Sequence, residues 1–433
     1  MKNKTLLFGV AGLILSGATG FAQSADALIN KLVEKGILNV KEANELREQA
    51  DQDFTTAYSV KSGMPDWVTS LRFNGDLRLR YDGLYIDDPG FVDRNRFRYR
   101  LRYGVTAALV DNFEVGFRLI SGETGRGGFS TLNPISGNAT FNDNASKKLI
   151  GVDLAYAKWE PINTASWRLS LSGGKIENPF VASDLFFDSD YTPEGLAQQL
   201  SYNLNDSHSL RFNVGQFILD ELSGSSDDPY MFGAQTRFES TWNEHWRSSI
   251  GLAAFSIQGE QSLTTANVPD QNTGNTRVGR ALVNEYHPLY ADLAVVYQLE
   301  SFPMYNGAFP IRFGGDYIYN PGASRENIGY SAGITFGRSG KRRTWDLGYR
   351  YKYLEADAWY EEVVDSNSGA FYRATRTYGT GTNIRGHTFR GSDSPLDSLT
   401  LSVTYYLFDL IDEVPAGSNS EASRLQVDAA WRF

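Results

Sequence analysis

The sequence predicts an all-β chain, a transmembrane antiparallel β-barrel of about 16 strands preceded by a short N-terminal periplasmic helical segment. Three observations carry that expectation. Apolar and polar residues alternate from Leu71 to the last residue. The connections between alternating segments are short and long by turns, and a leader of the export type opens the chain.

The leader reads "MKNKTLLFGVAGLILSGATGFAQS". Lys2 and Lys4 make a positive start, Leu6 to Leu15 an apolar core, and Gly20 and Ala22 the small residues before a cut after Ala22. Residues 1–22 are therefore expected to be a signal peptide, with an apolar run too short to span a bilayer as a helix. The sequence contains no cysteine. In an exported chain this excludes disulfide-stapled scaffolds and thiol chemistry.

Residues 23–52 carry helical spacing. Leu28, Leu32 and Val33 share one face, Gly36 marks a turn, and Asn39 is placed to cap a second helix with Glu42 three residues on. Two helices this short build no stable core alone. They are expected to form a periplasmic segment serving as a tail, an oligomerisation element or a contact to the cell wall. A linker, residues 53–70, leads to a barrel expected over 71–433.

The barrel segment is polar on average yet rich in strand formers. Aromatic residues make up 13% of the chain and the mean hydropathy is −0.37, which suits strands wet on one side. In "LRFNGDLRLRYD", Leu71, Phe73, Leu77, Leu79 and Tyr81 take one face, and Arg72, Asn74, Asp76, Arg78 and Arg80 the other. "RTWDLGYRYKYLEA" and "DSLTLSVTYYLFD" repeat the pattern near Trp345 and Leu401. The runs are roughly 10–14 residues long, and a tilted spanning strand needs about 9–11.

Alternation alone also fits a soluble sandwich. The connections separate the two. Tight polar turns at Val110, Asn205, Asn243 and Ser339 alternate with long loops such as Glu123–Ser146, Glu260–His287 and Asp357–Thr382. A sandwich has no reason to sort its loops to two ends; an outer-membrane barrel does. Trp159 with Trp167, and Trp242 with Trp246, flank short turns as an interfacial girdle would. The last segment, "SRLQVDAAWRF", alternates to a terminal aromatic.

These features resemble bacterial outer-membrane porins over Leu71 to Phe433, and most closely the putative porin family, in which segments like "NPFVASDLFFDSDYTPEGLA" (Asn178–Ala197) and "TLSVTYYLFDL" (Thr400–Leu410) recur. The resemblance implies a water-filled channel for passive diffusion of small hydrophilic solutes and ions, in the outer membrane of a Gram-negative bacterium. It implies outer-membrane lipid around the barrel and a homotrimer as the usual assembly. Trp431 and Phe433 would be read by the barrel-assembly machinery. The loop between the fifth and sixth strands would fold inward and narrow the pore, presenting Asp184, Asp188, Asp190 and Glu194. The alternative for that loop is a solvated acidic segment.

"RNRFRYRLRYG" then gains a meaning. Arg94, Arg96, Arg98, Arg100 and Arg102 occupy every second position, which on a strand gathers them on one face. A nucleic-acid patch would suit this stretch alone, but the chain has a formal net charge of −10 and no basic tail, so no nucleic-acid partner is expected. Inside a wide barrel the face is wet, and the five residues with Arg72, Arg78, Arg80 and Arg118 are expected to line one wall of the pore. The competing reading holds the arginines on interior partners such as Asp76, Glu114 and Asp153, with no part in transport.

No enzyme is expected. The four histidines, His208, His245, His287 and His387, show no metal-ligand spacing, and no nucleophile, phosphate-loop or dinucleotide motif stands in a strand–helix setting. No cofactor or metal is implied. A substrate-selective channel, anion-selective if the arginines dominate, and a structural tether from outer membrane to cell wall remain as alternatives.

Overall fold

The computed structural model describes residues 64–87, 92–123, 135–269, 273–368, 381–412 and 421–433. The expected signal peptide, the helical segment and most of the linker lie outside them. The long strands are β1 (Val68–Ile86), β2 (Arg94–Leu109), β3 (Phe113–Gly122), β4 (Leu149–Asn163), β5 (Trp167–Lys175), β6 (Glu194–Asn203), β7 (His208–Ile218) and β8 (Tyr230–Thr241). They continue with β9 (Trp246–Gln258), β10 (Leu289–Leu299), β11 (Phe309–Tyr319), β12 (Ile328–Gly337), β13 (Thr344–Leu354), β14 (Ile384–Leu396), β15 (Leu399–Leu410) and β16 (Ala422–Arg432). The first strand thus begins three residues before Leu71.

Each strand pairs antiparallel with its neighbours in sequence, and β1 pairs with β16 in the register Leu77↔Trp431 and Arg80↔Asp428, so the sheet closes. Closure leaves no edge, which lets every strand amide be satisfied without water in hydrocarbon. Gly75 N donates to Phe433 O (2.8 Å) and Phe433 N to Gly75 O (3.1 Å), extending the seam to the last residue. A Cβ at position 75 would lie 2.6 Å from the Phe433 ring, so glycine is required there.

The chain divides into two contact units, and the larger (Arg72–Ala107 with Asp111–Phe433) holds this seam. In the smaller, residues 64–71 meet Ala108–Val110: Val110 N donates to Trp67 O (3.1 Å) and Thr69 Oγ1 to Ala108 O (3.0 Å).

Local chemistry explains the tight turns. Asp111 and Asn112 both take positive φ (59° and 61°), the left-handed pair that a two-strand reversal needs and that Asp and Asn tolerate. Asn205 Oδ1 accepts from the amides of Ser207 and His208, and Asn243 Oδ1 from those of His245 and Trp246, all at 2.9 Å. Aromatic rings stack beside these turns: Phe113 on Trp159 (5.4 Å), Trp167 on Tyr202 (4.1 Å) and Trp246 against Tyr297 (4.7 Å).

Strand alternation sorts the two faces. Phe97 is 60% exposed and its neighbour Arg98 only 9%. Outward positions carry Leu79, Leu101, Tyr103, Val115 and Phe117, the apolar band a bilayer requires.

Candidate functional site

The inward faces of β1, β2 and β16 form a ladder of guanidinia and carboxylates. Arg80 grips Asp428 through Nε and Nη2, both at 2.7 Å. Arg424 grips Asp82 (2.7 and 3.0 Å), which also accepts from Arg96 (2.5 Å) and Arg98 (3.5 Å). Arg102 Nε and Arg100 Nη2 share Asp76 (2.6 and 3.0 Å). Nearby, Arg118 pairs with Asp153 and Glu177, and Arg72 with Glu114. Asp76, Glu114 and Asp153 are therefore partners, as the competing reading of the arginines required. Pairing does not empty the wall of charge: Arg78, Arg80, Arg96, Arg98, Arg100, Arg102 and Arg424 outnumber Asp76, Asp82, Asp428, Asp190 and Glu123, the carboxylates of the described residues within 4 Å of them.

The loop after β5, residues 176–193, reaches this wall. Asp190 accepts from Arg100 Nη1 (2.7 Å) and Arg102 Nη1 (3.4 Å). Six residues earlier the same loop meets β13, where Asp184 accepts from Lys352 Nζ (2.9 Å) and lies 3.5 Å from Arg350. Val181 exchanges two hydrogen bonds with the Gln235 side chain of β8. A loop touching β2, β8 and β13 runs across the inside of a closed barrel.

A second loop locks it there. In residues 355–368, Trp359 is fully buried, donates from Nε1 to Phe186 O (2.8 Å) and stacks on the Phe186 ring (4.6 Å). Asp188 N donates to Val363 O (2.9 Å), and Ser366 N to Asp188 Oδ2 (2.9 Å). Phe180, Leu185, Phe186 and Phe187 pack with Trp359, Val363 and Val364 against Phe217, Met231, Phe255 and Tyr290 from the strands, one buried apolar cluster. Burying a Phe or Leu side chain is worth about 1.5–3 kcal/mol, so these aromatics hold the loops inward. A third segment braces the second loop through Arg277 and Glu361 (2.6 Å) and through Asp357, which accepts from Asn284 and Tyr286.

The loop contact is electrostatically uneven. Burial, then the charges of Asp365 and Asp190, push the Asp188 carboxyl up to about 7, against the backbone donors of Asp190 and Ser366. Burial also acts on Asp365, but Lys352 (3.1 Å) and the Ser368 hydroxyl (2.6 Å) hold it down to about 2.

Of the expected wall residues, Arg80, Arg96, Arg98, Arg100 and Arg102 come together with Arg78, whose Nη2 donates to Asn138 Oδ1 (2.8 Å). Arg94 begins β2, half-buried; Arg72 and Arg118 stand beside the group. Asp184, Asp188 and Asp190 lie on the inward loop. Glu194 does not: it opens β6, paired with Lys175 across the ladder, because the strand starts there. Trp431 sits in β16 opposite Leu77 and Leu399, and Phe433 lies 6.4 Å from the Tyr103 ring. The sequence reading missed Lys352, Asp365 and Trp359. Its available signal was the apolar content of two loops, "FVASDLFF" and "AWYEEVV", too high for segments in water. Among the described residues no three His, Asp or Glu side chains gather as metal ligands.

Residues 88–286 match the model of a family described as putative porin. No curated protein matches the sequence. Among solved structures, OprB of Pseudomonas putida aligns with a TM-score of 0.53 at 10% identity, covering 88% of this chain and 97% of its own. OmpF of Salmonella typhi gives 0.47 at 10%, covering 84% and 97%, and the porin of Rhodopseudomonas blastica 0.41 at 11%, covering 84% and 100%. At such identities the likeness is one of fold.

Proposed function

We infer that a chain whose residues 88–286 carry the putative porin signature, and whose strands close into a barrel, forms a water-filled channel in the outer membrane of a Gram-negative bacterium. It passes small hydrophilic solutes and ions by passive diffusion. One observation supports this reading: among the described residues the barrel is apolar outside and charged inside, with loops reaching across its interior. Ladder charges facing water cost little, whereas the same charges facing lipid would cost about 2–4 kcal/mol each at the midplane.

A signal peptide at 1–22, a helical periplasmic segment at 23–52, a homotrimer and recognition of Trp431 and Phe433 by the assembly machinery fit this role and belong to the proposal. So does contact of the N-terminal helices with the cell wall. The surplus of guanidinia on the wall favours an anion preference, the selective form of the same reading.

Reconstitution in a planar bilayer tests it. Discrete, stable conductance steps that grow linearly with salt are expected, with anions favoured in a salt gradient. Protein that inserts yet yields no steps would overturn the channel and leave the structural tether.

A further inference from the structure

We propose that Arg78 is an anion-binding subsite of the channel, taking a small solute that presents a carboxylate or phosphate group. The proposal rests on the channel reading and adds to it a residue and a ligand class.

Arg78 stands on β1 among guanidinia that are already matched. Arg80 takes Asp428, and Arg100 and Arg102 take Asp76 and Asp190. Four cations thus meet three carboxylates, and Arg78 is the remainder. No carboxylate of the described residues lies within ion-pair distance of it. Its single protein hydrogen bond goes to the neutral Asn138 amide, at 2.8 Å. Arg78 Nε is buried with no acceptor, while Nη1, equally unpartnered, is not among the buried atoms.

Enclosing Nε in this way is costly, because that donor has given up water without gaining an acceptor. Asp at position 138 would have supplied a counter-charge beside Nη2; the chain has Asn. The arrangement leaves Nη1 as an open donor on a charged group, the kind of N–H that carboxylate and phosphate oxygens accept from strongly. Both Asp76 and Asp190 are held by their own arginines, so they compete weakly for it. A small anion moving along the wall meets this unpaired charge with neighbouring guanidinia on both sides, from Arg80 and Arg100.

The test uses the full-length protein in a planar bilayer at low chloride concentration, where screening is weakest. Inorganic phosphate and succinate are titrated separately as probes. Saturable block of the chloride current by at least one probe is expected, and the stronger blocker names the group preferred. Arg78→Gln should weaken the block at least tenfold. Asn138→Asp, which gives Arg78 an internal partner, should weaken it similarly while leaving the barrel's heat-modifiable gel mobility unchanged. It also covers the case in which the first variant fails to fold. Open channels without block in the native protein, or block unchanged in a folded variant, would overturn the subsite and leave the channel standing. Absence of any conductance would remove both.

Discussion

Replacing Lys352 with methionine should release the second inward loop while sparing the barrel. Lys352 is 1% exposed, and its Nζ donates to Asp184 (2.9 Å), Asp365 (3.1 Å) and Ser368 (3.1 Å). Methionine nearly fills the stem's volume, so the change removes charge rather than packing. Breaking a buried ion pair by removing one partner costs about 3–5 kcal/mol, since the other charge stays buried. Asp184 keeps Arg350 at 3.5 Å, while Asp365, on the second loop, loses the ammonium that stands 3.1 Å away. The loss therefore falls on the docking of residues 355–368. About 3 kcal/mol is a shift of roughly a hundredfold in the docked-to-undocked ratio. Single-channel recording should show flicker to a higher conductance level at neutral pH, with unchanged gel mobility. A Lys352→Met channel as quiet as the native one at neutral pH would refute the argument.

Three further outcomes follow from the same geometry. Because the Asp188 carboxyl is pushed up to about 7 when docked, from about 4 when free, loop docking should be firmest in acid and loosen as pH rises through 7; Asp188→Asn should flatten this dependence of current noise on pH. Neutralising Arg96, Arg98 and Arg100 should move the zero-current potential in a salt gradient towards cations, and Asp190→Asn, which leaves Arg100 and Arg102 with Asp76 alone, towards anions; unmoved potentials would remove these residues from the permeation path. Deleting Phe433 removes two backbone bonds to Gly75 and the Tyr103 contact, so outer-membrane yield should fall with export intact, measured by fractionation and gel mobility.

What was legible in the sequence is what solvent imposes residue by residue. Lipid on one side and water on the other enforce period two, so "RNRFRYRLRYG" announces both its strand and its inward arginines. Loop lengths announce which end carries the turns, and Asn205 and Asn243 announce turn chemistry locally. The interlocked loops were not legible, because Asp188 and Ser366 are 178 residues apart and no local period couples them. The acidic residues of the first loop point to charge, whereas its position is fixed by Phe180 and Leu185 to Phe187, whose partners lie on distant strands. Glu194 was misplaced for a related reason: strand boundaries depend on the partner ladder, here Lys175 and Ile218, and not on the residue itself.

The seam between β1 and β16 bears on the order of events during assembly. Arg80 and Asp428 are 348 residues apart, yet share one of the tightest pairs in the wall. Bringing such distant segments together carries a large entropic cost before any contact rewards it. Until the final strand arrives, β1 offers an open row of amides and carbonyls along most of its 19 residues. An open row of that length is a template for any other extended chain nearby. The hazard ends only when β16 docks on β1, so closure of this seam protects the row as well as completing the wall.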